Sequence, residues 1–155
     1  MSLETTTTLT QQTLDALQEL IQINIDSADG FRAAAEDSQD IRLSQVFVTL
    51  ATERSAQAAE LQKYVAANRQ EPRQEGSAAA ALHRAWLSIR TSLSSDNAHA
   101  ALAEAERGED EIKAKYEQLL KQTAGSAVND VLLHQYRKVK AAHNQVRELR
   151  DSYKA

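Results

Sequence analysis

The chain has no cysteine, one proline, four glycines and one tryptophan among few aromatic residues. Without cysteine there are no disulfides and no thiolate metal sites. So little proline, glycine and aromatic content argues against a β-sandwich or barrel, whose turns and strands need them. No apolar run approaches the 18 residues a membrane span requires, and no basic segment with an apolar core opens the chain. The expectation is a soluble, cytoplasmic protein without a membrane partner. A Gly-rich phosphate loop is absent, and no Ser/His/Asp constellation can be argued from spacing. Basic residues are interleaved with acids, so a nucleic-acid partner is not expected.

What the chain does hold is helical periodicity. At 155 residues, 42% of them hydrophobic, it is long enough for one domain, 1–155, with a real core. Residues 1–9 are Thr-rich and expected to fray. A first helix is predicted from near Thr10, whose side chain can cap it. Its apolar face is Leu14, Leu17, Ile21, Ile25, Ala28 and Phe31, with Gly30 close by. Residues 36–40 read as a polar turn with Ser38 or Asp40 as the next cap. A second helix over 41–68 carries Leu43, Phe47, Leu50, Ala58, Leu61 and Val65 on one side. Residues 69–76, with Pro72, form the clearest linker.

Ser77 is the expected cap of a shorter third helix with Leu82, Trp86, Ile89 and Leu93 on its apolar side. After the turn-forming run 94–97, a fourth helix is predicted over 98–122. Gly125 then Ser126 reads as a stop followed by an N-cap. The last helix shows Val128, Leu132, Tyr136, Val139, Val146 and Tyr153, with His143 in the gap. Two helical hairpins joined by a crossover over 69–97 make an all-α chain. The expected architecture is a ferritin-like four-helix bundle whose long crossover carries a short extra helix.

Charge is uneven along this plan. Residues 1–40 hold eight acids and one base, a net −7, and 126–155 hold six bases and three acids, a net +3. Opposite signs in one small domain point to neighbouring helices rather than to a polyanion-binding surface. The densest acidic stretch, 104–116, places Gly108 and Glu109 on the core side of the fourth helix. A core-facing carboxylate must be paired, ligated or protonated.

The apolar stripes all break near mid-helix, at Asn24, at Glu53 with Arg54, at Glu109, and at His143 with Lys140 beside it. Helices aligned at their centres bring these residues into one polar layer. Ferritin-like proteins build di-iron sites at that height from a Glu on two helices and Glu-x-x-His on the other two. Here Glu53 is followed three residues later by Ala56, and His143 is preceded three residues earlier by Lys140. Glu53, Glu109 and His143 are the candidate metal ligands, and iron or manganese is the cofactor they would take. The competing reading needs no cofactor: Asn24, Arg54 and Lys140 join those three in a buried polar network. His83, His99 and His134 lie on separate helices and form no set.

The blocks 80–86 (AALHRAW), 106–111 (ERGEDE) with Tyr116 and Glu117, and 143–150 (HNQVRELR) together resemble an uncharacterised bacterial family. It is a ferritin-like four-helix-bundle family in the rubrerythrin-like superfamily, known as a domain of unknown function and often linked to stress or biofilm contexts. The resemblance covers nearly the whole chain and implies the fold, with no activity, cofactor or substrate attached. Its natural functional expectation is a non-enzymatic, stress-associated bundle that forms a homo-oligomer or binds a protein partner. The apolar side of the third helix, centred on Trp86, is the face that either covers the bundle or docks a second subunit. The alternative is a diverged di-iron or other metal protein that scavenges oxygen or peroxide, or handles metal.

Overall fold

The computed structural model describes residues 4–76 and 80–153. Five helices make up the described chain: α1 (Gln11–Asp37), α2 (Ile41–Ala67), α3 (Ala80–Ser94), α4 (Ala98–Gln122) and α5 (Asn129–Ser152). No strand occurs among the described residues. Their starts follow from local chemistry. Thr10 accepts from the Thr13 amide at the head of α1. Asp40 accepts from the Arg42 and Leu43 amides at the head of α2, and Asn97 accepts from Ala100 at the head of α4. Each side chain satisfies an amide that the first turn leaves without an intrahelical partner. Asp40, rather than Ser38, is the second cap, and Ser38 instead closes α1 by donating its amide to the Ala34 carbonyl.

Two sequence expectations need correction. Ser126 does not open the last helix: residues 126–128 form a further turn, with the Ser126 amide on Thr123 O and the Asn129 amide on Ser126 O. The last helix begins at Asn129 after Val128, which is wholly buried. Burying Val128 against the core fixes the chain there, and the serine is left outside the first turn. Residues 4–9 are also more than a fraying tail. Glu4 accepts from the Thr10 amide at 2.7 Å and the Ala127 amide at 3.1 Å, and Leu9 is buried with its amide on Asn68 Oδ1. Ser77 and the side chain of Leu82 lie outside the described residues.

Hydrogen bonds at two heights fix the helix directions. The Leu9 amide meets Asn68 at one end and Ser44 meets the Ala35 carbonyl at the other, so α2 runs antiparallel to α1. Gln57 meets Gln135 and Asp40 meets Tyr153, so α5 runs antiparallel to α2. Glu117 meets Tyr136 and Glu106 meets Arg150, so α5 is also antiparallel to α4. It follows that α2 and α4 run the same way, and the chain between them must return along the molecule. Its first part, residues 70–76, lies against α1: Gln18 donates to the Glu71 carbonyl and accepts from the Arg73 amide. Those two hydrogen bonds satisfy the Gln18 amide in its buried position.

One hydrophobic core runs through all five helices. Leu17, Leu20, Ile21, Phe31, Leu43, Phe47, Leu61, Ile112, Val139 and Val146 are at most 0% exposed within it. The third helix closes one side. Trp86 packs edge-on against Phe31 at 4.8 Å between ring centres, and Ile89 and Leu93 are buried with it. The apolar side of α3, one of whose possible partners was another subunit, is thus covered by its own chain. Gly30 makes this possible: a Cβ there would come within 2.2 Å of the indole. α1 continues through Gly30 without a break.

Candidate functional site: a buried polar layer opening into the α2/α5 groove

All four long helices were expected to bring polar residues to one mid-height layer, and α1, α2 and α4 do. Asn24, Arg54 and Glu109 have no exposed surface. The Arg54 guanidinium donates from Nη2 to Glu109 Oε2 at 2.7 Å, and from Nη1 to Glu53 Oε1 at 3.0 Å and Gln57 Oε1 at 3.2 Å. The glycine before Glu109 is buried as well. Arg54 is therefore the centre of the layer, with Glu53 at its partly exposed edge.

A second branch joins it through residues whose role the stripe pattern does not show. Asn24 Nδ2 donates to the Leu20 carbonyl and to the Tyr116 hydroxyl, both at 2.8 Å. Tyr116 in turn donates to Gln135 Oε1 at 2.8 Å. Gln135 Nε2 donates to Glu60 Oε1 at 2.7 Å and to the Gln57 carbonyl, while Gln57 Nε2 donates to the Gln135 carbonyl at 3.1 Å. One continuous network thus links α1, α2, α4 and α5. The Tyr116 ring lies among the buried apolar residues of α4, so the residue pattern carries no sign of its hydroxyl bonds. Glutamines at stripe spacing on α2 and α5 were the available signal.

The remaining expected members sit elsewhere. His143 Nε2 donates to Asp110 Oδ1, 2.7 Å away on α4, and its Nδ1 is 3.3 Å from Asn144 Oδ1. Lys140 is exposed and lies 5.8 Å from the centre of the Tyr136 ring. It does not join the layer, because one position past Val139 is about 100° round the helix from the core side. Glu53 and Glu109 meet through Arg54, and His143 turns to Asp110. Among the described residues no three His, Asp or Glu side chains are grouped so as to hold a metal ion.

The electrostatics follow from the burial. Loss of water pushes the Glu109 carboxyl above its ordinary value, with Arg54 pulling it back. Burial also opposes the charge on Arg54, yet Glu109 and Glu53 together hold its pKa above the ordinary value. The guanidinium stays a cation, as arginine does in proteins. Burial likewise raises the Tyr116 phenol, which therefore stays a neutral donor. Arg54 Nε, Glu109 Oε1, Asn24 Oδ1 and Ser27 Oγ are buried with no hydrogen-bond partner among the described residues. Buried polar atoms of this kind are commonly met by internal water.

The network reaches the surface in one direction. An open groove of about 530 Å³ between α2 and α5 is lined by Val48, Thr52, Glu53, Gln57, Glu60, His134, Gln135 and Lys138. Its floor is the Gln57–Gln135 pair. Chemically the site offers an internal arginine bonded to two carboxylates, one buried and one at the groove. It offers no nucleophile with an activating base. No helix among the described residues is long and apolar enough to cross a membrane.

The family described as "Domain of unknown function (DUF2383)" matches residues 12–122, which hold α1 to α4 and so both ends of the Arg54–Glu109 pair. A comparison with curated proteins gives no match.

Proposed function

This chain belongs to the DUF2383 family, and from that premise we propose that it is a ferritin-like bundle, soluble and cytoplasmic, that works by self-association or by holding a protein partner. In this reading the mid-height layer is a structural device and carries no reaction. The observation that supports it is the position of Arg54. Its guanidinium occupies the space between Glu53 and Glu109, at 3.0 and 2.7 Å from their oxygens. In a ferritin-like metal layer those two carboxylates would face a metal. A fixed guanidinium there repels a divalent cation and already supplies the positive charge the acids need. The donors present do not fit an iron or manganese pair.

Helix directions support the same fold. The two parallel helices α2 and α4 are joined by a connection that carries α3, which is the one-crossover order of ferritin-like bundles. A network drawing one or more side chains from each long helix also suits a scaffold. Buried ionic groups of this kind set register more readily than they add stability.

A diverged iron or manganese protein is the second reading, favoured by Glu109 Oε1, which has no hydrogen-bond partner among the described residues. Elemental analysis of untagged protein, as purified and after anaerobic Fe(II) addition and desalting, separates the two. Retention below about 0.1 metal per chain is expected. About two metals per chain, lost in Glu109→Ala, would overturn the scaffold reading, since two is the complement of a ferritin-like site.

A further inference from the structure

Because α1 and α5 both run antiparallel to α2, their heads lie at the same end of the bundle. The Glu4 carboxylate bridges those two heads. Its Oε2 accepts from the Thr10 amide at 2.7 Å and the Thr13 hydroxyl at 2.8 Å, and its Oε1 accepts from the Ala127 amide at 3.1 Å. Amides at the head of a helix carry partial positive charge, so a carboxylate suits this place and its neutral acid does not.

The segment that carries Glu4 is fastened at a second point. Asn68, where α2 ends, accepts from the Leu9 amide and donates to the Thr6 carbonyl, both at 2.8 Å. Between the two fastenings the chain makes its own turn, with the Thr8 amide on the Thr5 carbonyl. Residues 5–8 are exposed, and Leu9 is the one buried residue of the segment. Lifting it takes a single apolar side chain out of the core and leaves every helix's own backbone bonds in place. So shallow an element can open at a fraction of the cost of global unfolding.

No other charge at this end holds Glu4. The titratable side chains there are Asp15 on α1, Lys63, Tyr64 and Arg69 at the end of α2, Glu71 beyond it, Lys121 on α4 and Asp130 on α5; the charged ones are all exposed. Among the described residues none forms an ion pair with Glu4. His134, farther along α5, lines the α2/α5 groove.

We propose that residues 4–9 are an acid-released strap, closed over this end of the bundle while Glu4 is a carboxylate and lifted when it takes a proton. Leu9 and the end of the core beneath it then meet water. Burial works to raise the Glu4 carboxyl, but the bonds from Thr10, Thr13 and Ala127 outweigh it and lower it from 4.5. A group lowered in this way holds the strap above 4.5 and releases it as pH falls through the folded value.

Amide hydrogen exchange on the full chain tests the strap, with rates corrected for the intrinsic effect of pH. The Leu9, Thr10 and Ala127 amides report the strap, since each is bonded across it. The Leu61 and Ile112 amides, buried in α2 and α4, report the whole fold. Between pH 6 and pH 3 the first three are expected to lose protection about fivefold or more relative to the last two, the scale of one lost cap. Glu4→Gln is expected to show the lower protection at both pH values, and Thr13→Val to move the loss to higher pH. A loss that Leu61 and Ile112 share in full would be global unfolding and would overturn the strap. Protection in Glu4→Gln that matches wild type at both pH values would overturn Glu4 as its latch.

Discussion

Arg54 and Glu109 meet at 2.7 Å with neither side chain exposed, the only ion pair among the described residues that is buried on both sides. They stand on α2 and α4, two long helices that run in the same direction and share no hairpin. The pair therefore ties the two halves of the molecule across its centre. One further nitrogen of the guanidinium is also used, Nη1 reaching Glu53 and Gln57, whereas Arg54 Nε and Glu109 Oε1 have no partner among the described residues. Breaking the pair from one side leaves an unpaired charge out of water, which costs far more than replacing both ends.

Arg54→Met should destabilise the fold by about 3–5 kcal/mol at neutral pH, whereas Arg54→Met with Glu109→Leu should cost clearly less. The single variant should also carry a pH signature. Burial already raises the Glu109 pKa above 4.5, and Arg54 is what opposes it. Without Arg54 the rise is larger. A raised folded-state pKa gives stability that is complete below 4.5 and lost as pH rises through the folded value. The penalty of Arg54→Met should accordingly be smallest in acid and grow toward neutrality. Urea titrations of the three variants from pH 4 to 8 check both points, and a penalty that is flat with pH would contradict the second.

Glu4 behaves in the opposite sense. Burial works to raise its pKa, but bonds from Thr10, Thr13 and Ala127 outweigh that and lower it from 4.5. A lowered folded-state pKa gives stability present above 4.5 and lost as pH falls through the folded value. Asp40 follows the same rule below 3.8, through the Tyr153 hydroxyl and the α2 amides. Glu4→Gln should thus lower the melting temperature at pH 7 by a few degrees, the scale of about 1 kcal/mol. At pH 3 the gap from wild type should be narrower. Calorimetry at the two pH values decides, and an unchanged melt at pH 7 would show that the Glu4 carboxylate contributes nothing.

These tests bear on residues of unequal legibility in the sequence. Helix starts at Thr10, Asp40 and Asn97 could be read because a capping side chain acts within three residues of itself. Ser126 misled for the same reason: its competitor was the burial of Val128, a long-range event with no local mark. Asn24, Arg54 and Glu109 announced themselves as polar interruptions of apolar stripes. Tyr116 could not, since its ring belongs to the stripe and only its hydroxyl, bonded to Asn24 and Gln135, belongs to the layer. His143 and Lys140 were placed at the right height but not at the right angle. Height follows from counting along a helix, whereas a helix edge and its centre differ by one residue.

Gly30 and Trp86 supply a last test, because here two general rules oppose each other. Gly to Ala inside a helix ordinarily gains up to about 1 kcal/mol. At Gly30 the new Cβ would lie 2.2 Å from Trp86 Cε2 and 2.3 Å from Cδ2, inside the ring rather than at a movable tip. The indole cannot retreat easily, being 9% exposed and held edge-on by Phe31. Overpacking of this kind costs about 1–3 kcal/mol, so Gly30→Ala should destabilise the wild type. In a Trp86→Leu background the ring is gone and the helix preference should win, making the same substitution neutral or stabilising. A double-mutant cycle by chemical denaturation reads the change of sign. If Gly30→Ala is stabilising in both backgrounds, α3 does not press on α1 at this point, and the docking of the crossover helix would have to be redrawn.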